Sequence, residues 1–508
     1  MINVINVSPV SVSFEIVNVH PYYSHENVDI FVNGELYRKG ERRNIFTVFD
    51  LNPDEEYEFT ILDEKIKVKT LHVNNIYNVL DYGVKNDGET LNTDKIQALL
   101  DKSDYDLIVF PEGNYYTGPL NFKSNTYVYV KKGAELIASN NRWEYPIIKA
   151  YSDDGKVNAS WEGEPGDQFM SIITSFDSEN IMIVGEGTIN GNADKADWWV
   201  DHRTMRGAWR PNNVFVNRCK DMAFVGLSII NSPSWNLHPF YSTNLDFIDL
   251  TLRSIPTSPN TDGFDPESCI NCRLLGTNIH VGDDCVAIKS GKKIMADNFY
   301  QPCENLTIRN CYMGDGHGGV VFGSESSCGI KNVVVTNCIF KNTDRGLRIK
   351  TKRGRGNKAS IENITFDNIF MDGVMSCFVI NMYYYLSFEE YDDYADSKDY
   401  REVSELTPHV GEFTFKNIYC VNTKVCAGYF FGLPESKIDK ITLENVQITY
   451  DFDFNEFVQP AMIYNCEKIN NGPFYFYNVK EVVTNEVYIE RDKIEQVKIV
   501  DTNTLWNY

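Results

Sequence analysis

Short alternating strands recur along most of this 508-residue chain. "NIMIVG" begins at residue 180, "DMAFVG" at 221, "NLDFID" at 244, "NLTIRN" at 305, "NVVVTN" at 332, "NITFDN" at 363, "FTFKNI" at 413 and "KITLEN" at 440. Five of the seven intervals fall between 20 and 41 residues; "NCRLLG" at 271 and an insertion partly fill the two longer ones. Recurrence at such a period is the signature of a solenoid. Strands this short, with almost no helix between them, favour a parallel β-helix over a leucine-rich or helical repeat. Successive coils then stack about 4.8 Å apart, and residues one coil apart in sequence become neighbours on one face.

The first 70 residues do not share the repeat. "VSVSFEIV", "VDIFVNG", "FTVFDL" and "YEFTIL" are short alternating strands separated by turns, as in a small antiparallel β domain. In "LNPDEEYEF", Leu51, Pro53 and Tyr57 stand where a fibronectin type III domain has its tyrosine corner, and the segment resembles that module. We therefore expect an all-β chain with a fibronectin type III-like β-sandwich over 1–72 and a solenoid over 73–508. "NTDKIQALLDK" reads as a short amphipathic helix with Thr93 as its N-cap and Ile96, Leu99 and Leu100 inward, placed to cap an exposed sheet end.

The formal net charge of −23 argues against nucleic-acid binding, which needs a basic footprint. No apolar run approaches the roughly 18 residues of a membrane span. "MINVINVSPVSVSFEIVNVH" lacks the basic start and apolar core of a secretion signal, so a cytoplasmic location is expected, or secretion if a leader was trimmed. The twelve cysteines are scattered, several within apparent strands (Cys272, Cys285, Cys311, Cys338), and read as free thiols of a reducing compartment. Cys269 and Cys272 have zinc half-site spacing, but no second pair matches it. No metal and no cofactor are expected.

Against this background the acids of "NTDGFDPESC" (260–269) and "VGDDCVAIKSG" (281–291) stand out, because glycine, proline and cysteine fence them. Asp262 and Asp284 are 22 residues apart, close to one coil; His317 follows after 33, and Arg348 and Lys350 after another 31 and 33. Stacking would align these four clusters over roughly 15 Å of one face. Crowded carboxylates cannot all ionise, so one keeps its proton. A protonated acid beside an ionised one is what glycosidic cleavage requires. A calcium site could use the same acids, but the spacing lacks the D-x-D-x-D-G loop pattern. "DRGLRIKTKRGRGNK" (344–358) sets seven Lys or Arg against one Asp. Leu347 and Ile349 alternate with Arg348 and Lys350, which puts those two cations on one outer face. With Arg345 and Lys289 they suit the carboxylates of an anionic sugar polymer. Trp235 and His238, in "SPSWNLHPF", are candidates to stack on or bond to a sugar ring.

At these residues a family becomes recognisable. "NTDGFD", "GDDCVAIKSG", "GDGHGGVVFGS" and "RGLRIK" resemble, in this order, the four signature motifs of the glycoside hydrolase family 28 polygalacturonases. The resemblance runs from about residue 75 to at least 450. It implies a right-handed parallel β-helix and hydrolysis of α-1,4-galacturonan, a pectic polysaccharide, with inversion. Asp283 would be the general acid, Asp262 and Asp284 would hold the attacking water, His317 would support or orient the acid, and Arg348 and Lys350 would bind the uronate carboxylate. Stacked coils set these acids closer than is usual for inversion. The fibronectin-like start and the "AIKSGK" continuation resemble the bacterial exo-acting members most. Insertions at 140–170 and 382–410 suggest an exo pocket, although the second also leaves a homo-oligomer contact open. The alternatives are a rhamnogalacturonan or xylogalacturonan hydrolase of the same fold, a calcium-dependent β-helix pectate lyase and a non-catalytic β-helix.

Overall fold

In the computed structural model, residues 1–491 are described, together with the backbone of 494–495 and 505–507; the rest of the 73–508 unit lies outside the described residues. From Ile76 onward the strands of successive coils pair in parallel, and a few short strands outside the coils pair antiparallel. One long sheet holds most of them. A second face is built in two parts, a four-stranded and a six-stranded sheet. Single bridges join the two parts, Leu237 to Phe264 to Val286 and Phe240 to Glu267 to Lys289.

The Asn and Asp residues that open the repeats have a physical reason to be there. Asn180, Asp221, Asn244, Asn271, Asn305, Asn332 and Asn363 all adopt left-handed backbone, which short polar side chains tolerate best among non-glycine residues. Their amides also bond from coil to coil: Asn271 to Asn244 at 3.0 Å, Asn305 to Asn271 at 3.1 Å, Asn332 to Asn305 at 3.1 Å and Asn363 to Asn332 at 2.6 Å. Each corner thus satisfies its neighbour. Between the faces runs one apolar core from Val79 to Ile489. All twelve cysteines are free and buried; Cys285 and Cys311 lie at turns beside strands rather than within them.

The helix α1 (Thr93–Leu100) buries Ile96, Leu99 and Leu100 in the start of that core. Thr93 is its first residue and not its cap: the N-cap is Asn92, and the Thr93 hydroxyl accepts the Gly118 N–H at 2.7 Å instead. The demand of the neighbouring coil outweighs local capping here.

Residues 2–69 form two antiparallel sheets. One contains β1 (Ile2–Val7), β2 (Val12–Ile16) and β5 (Ile45–Val48); the other contains β3 (Tyr23–Val32), β4 (Glu35–Arg43), β6 (Glu56–Ile61) and β7 (Glu64–Lys69). Phe14, Phe46 and Phe59 fill the space between them. The Tyr57 hydroxyl accepts the Asn52 N–H at 2.8 Å, the bond a tyrosine corner makes. This module is packed hard against the solenoid. Val10, Ile45 and Phe49 bury themselves on Tyr127, Tyr129, Val225 and Ile248. Gly226 (φ +80°) makes room: a Cβ there would lie 2.2 Å from the Phe49 ring. Arg309 grips Glu15 with two bonds of 2.7 and 2.8 Å. Phe49→Ala should therefore destabilise the whole chain by about 3–5 kcal/mol, seen as an earlier single unfolding transition in denaturant. Loss of the module alone, with the solenoid midpoint unchanged, would contradict shared packing.

Candidate active site

The site forms where the second face is interrupted, at the coil held only by single bridges. Segment 260–267 lies between two strands of that face, with the Asn236 N–H on the Asp262 carbonyl at 2.9 Å and the Gly263 N–H on the Asp284 carbonyl at 3.0 Å. Asp262 and Asp284 are thus one coil apart. One coil further, the His317 N–H meets the Asp283 carbonyl at 3.0 Å. In the next coil, Val321 pairs with Arg348 and Gly323 with Lys350. The spacing read from sequence therefore brings the four clusters together.

Carboxyl oxygens of Asp262, Asp283 and Asp284 all lie within 4.8 Å of one another. Their surroundings differ. Asp284 is buried, and burial alone would push its carboxyl up. Lys350 at 2.8 Å and Arg348 at 3.7 Å override this and hold it at about 2. Asp262 is also buried and has no such partner among the described residues; burial and the neighbouring Asp283 push it well above the usual carboxylate range. Asp283 is half-buried, and its Oδ1 accepts the Asp284 N–H at 3.0 Å. It also faces His317 Nδ1 at 3.0 Å. That bond, against burial, raises His317 to about 9. The cluster therefore sets a carboxyl that is held up, Asp262, against one that is held down, Asp284, with an imidazole held up at its mouth. Two cations already neutralise the interior, which disfavours a calcium ion there.

The raised His317 pKa gives a pH signature. The unfolded value is about 6.5, so the stabilisation from the His317–Asp283 pair is fully present below about 6.5. It is lost as pH rises through about 9. The stability gap between wild type and His317→Ala should therefore close across that window; a gap constant from pH 6 to 10 would contradict the pairing.

Other sequence candidates take different places. His238 is fully buried, with Nε2 on Glu267 at 3.0 Å and Nδ1 on Asn212 at 3.2 Å, so it contacts no sugar. Trp235 is also covered: its ring lies 6.2 Å from that of Trp161, nearly parallel, and edge-on to His238 at 4.6 Å. Lys289 is buried beneath it, 4.7 Å from the Trp235 ring, and is committed to Glu325 at 3.3 Å and Asp265 at 3.5 Å. These three form the floor under the site. Arg345 serves as a fastener: it bonds the Gln459 carbonyl at 3.0 Å and pairs with Asp344 at 3.4 Å. Polar residues on this face satisfy one another across coils, and sequence spacing alone does not say which pairs with which.

Loops wall the site. From the 140–170 insertion, a hairpin (Ser160–Pro165) lays Trp161 on Trp209 at 4.8 Å. Gly163 (φ +80°) passes so close to Glu325 that a Cβ would sit 2.5 Å from its side chain. The 382–410 insertion sets Tyr384 beside Lys350, whose Nζ is 5.7 Å from the ring centre. It then reaches Phe388, which meets Arg203 of the 198–211 loop at 4.3 Å. Those loops leave the solenoid six coils apart, about 29 Å along its axis. Their contact therefore arches over the coils that carry the acids. Segment 451–471 adds a third wall through Met462, whose sulfur accepts from Arg348 at 2.6 Å. Sequence reasoning missed this wall and Glu325. The first carries no repeat to interrupt; the second lies in "GSESSCG", directly after a recognised motif.

The family model described as "Glycosyl hydrolases family 28" matches residues 151–470. An endo-polygalacturonase of Pectobacterium carotovorum subsp. carotovorum is 30% identical over 349 residues, 66% of this chain and 78% of that protein. Among solved structures, a family 28 exopolygalacturonase of Yersinia enterocolitica aligns over 100% of this chain and 97% of its own, with TM-score 0.71 and 19% identity. A hyperthermoactive exopolygalacturonase of Thermotoga maritima aligns over 81% and 92%, with TM-score 0.62 and 25% identity.

Proposed function

This chain belongs to glycosyl hydrolase family 28, and from that premise we propose that it hydrolyses the α-1,4-galacturonosyl bonds of polygalacturonate and its oligomers, acting from the non-reducing end. The relatives named polygalacturonase support the substrate. The observation that carries the reading is the three-carboxylate cluster backed by Arg348 and Lys350, since it pairs acid–base groups with cations for a uronate.

The residues divide the work as follows. Asp283 is the general acid, because it is the member of the trio that opens to the cleft. His317 re-protonates it: Nδ1 lies 3.0 Å from the Asp283 Oδ1 to which it would pass a proton. Asp262 and Asp284 hold the attacking water between them, Asp284 as the ionised partner. Inversion follows the resemblance. The trio is tighter than the ~6.5–9.5 Å usual for inverting pairs, so the water must sit against the cluster rather than across it. The Arg203–Phe388 arch and the Met462 wall support a closed-ended pocket and release of monogalacturonate. Twelve free thiols support a cytoplasmic, reducing location. The antiparallel module with its Tyr57 bond supports the fibronectin type III-like reading of its start.

The reaction class is tested by incubating the protein with polygalacturonate and a chelator. New reducing ends without ultraviolet absorbance from unsaturated uronides are expected. Chelator-sensitive unsaturated products would make it a lyase, and activity confined to an alternating rhamnose–uronate polymer would change the substrate.

A further inference from the structure

Asp262 stands where no ladder holds it. The chain leaves a strand at Arg253, runs through turns, and rejoins its neighbours only at the single bridge of Phe264. Residues 254–263 thus lack the regular parallel pairing that fixes side chains elsewhere on this face. Individual bonds must do that instead. On the downstream side, the backbone and side-chain N–H groups of Asn236 both meet the Asp262 carbonyl at 2.9 Å, and the Gly263 N–H meets the Asp284 carbonyl at 3.0 Å. The Thr261 hydroxyl accepts the Gly282 N–H at 3.2 Å.

On the upstream side, Arg210 reaches the segment from the 198–211 loop. Its Nη1 donates to the Pro233 and Pro259 carbonyls, each at 2.8 Å, and its Nη2 donates to the Asn260 Oδ1 at 2.6 Å. Pro233 and Pro259 belong to successive coils, as the bridge from Leu237 to Phe264 shows. One guanidinium therefore spans two coils and ends two residues before Asp262. Arg210 is 5% exposed, and the Trp161 ring lies 5.1 Å from its central carbon. Among the described residues it makes no ion pair, and its three acceptors are neutral oxygens. Burying a charge is costly, and neutral acceptors with a ring face offset only part of the cost. What the guanidinium adds over an apolar side chain is a rigid planar fork with donors in fixed directions.

We infer that Arg210 is a positioning residue for the reaction: by pinning Pro259 and Asn260 to the preceding coil, it sets where the Asp262 carboxyl stands against Asp283 and Asp284. Arg210 is covered, so it acts through Asp262 and not on the sugar. The inference rests on the reading in which Asp262 helps to hold the attacking water, and it deepens that reading. A misplacement of about 1 Å at a reacting group can cost about 10²-fold in rate.

The test compares kcat and KM on trigalacturonate with the denaturant midpoint of each variant. Arg210→Ala should lose about 10- to 100-fold in kcat, with KM little changed because Arg348 and Lys350 are untouched. Arg210→Lys keeps the charge but not the fork, and should recover only part of kcat. Asn260→Gly removes one of the three bonds and tolerates the left-handed backbone of that position (φ 56°), so its kcat should fall by less. Methylguanidinium at millimolar concentration should restore part of the kcat of Arg210→Ala by entering the space left by the side chain, and sodium chloride at equal ionic strength should not. If Arg210→Ala does not fold, Arg210→Lys and Asn260→Gly carry the comparison. Wild-type kcat in the folded variants would overturn the inference, as would a loss carried by KM alone. Wild-type inactivity on trigalacturonate would instead overturn the galacturonan reading, and this inference with it.

Discussion

Asp283→Asn lowers the turnover of polygalacturonate by about 10²- to 10⁴-fold, the span a positioned general acid contributes, while oligogalacturonate still binds. An amide cannot donate the proton that the leaving oxygen needs. The fold should tolerate the change, because Asp283 is half-buried and the amide oxygen can still accept the Asp284 N–H, now 3.0 Å from Oδ1. The variant also separates two roles for His317. With Asp283 gone as a carboxylate, the hydrogen bond that raises the imidazole to about 9 weakens. The His317 titration, followed by NMR, should then fall toward its ordinary value of about 6.5. Turnover near wild type would show that the proton comes from elsewhere in the cluster, with Asp262 the next carboxyl in line.

Lys350→Ala should damage both stability and binding. Lys350 and Asp284 form a buried pair at 2.8 Å, and Asp284 is only 1% exposed. Removing one partner of such a pair typically costs about 3–5 kcal/mol, because the other charge is left without compensation. Arg348, at 3.7 Å, offsets part of that loss. Asp284 should then shift upward and no longer stay ionised into the acid range. Its stabilising effect, present above about 3.9 in the wild type and lost as pH falls toward about 2, should disappear from the variant's pH–stability curve. Lys350→Arg should keep most of the stability. Denaturant midpoints and KM for oligogalacturonate, measured together, check this. Unchanged values of both would mean that Lys350 is neither the counter-ion nor the uronate ligand.

The contrast between Arg348 and His238 shows what was legible in the sequence. Both stand beside apolar neighbours on short strands. Arg348 sits two coils from Asp284, and coil spacing alone predicted that they would share a face. His238 sits in the coil next to Asp265, by the same logic, yet lies wholly inside. Its fate depends on Glu267 and Asn212, and no sequence period marks which polar residue will satisfy which. The asparagine corners were visible as strand openers because each one solves the same backbone problem in every coil. The walls were not. The hairpin 160–165 owes its place to a three-tryptophan stack drawn from separate segments, Trp161, Trp209 and Trp235. The Arg203–Phe388 arch joins residues 185 positions apart.

The claim that joins these observations is that loops close the groove into a pocket that accepts one chain end of a galacturonan. The time course of product sizes from polygalacturonate, followed alongside viscosity, tests it most directly. The account predicts monogalacturonate from the first minutes, with viscosity falling slowly because each cut shortens a chain by one unit. Early dimers to hexamers with a rapid fall in viscosity would contradict it, and would mean that the groove stays open beneath the arch.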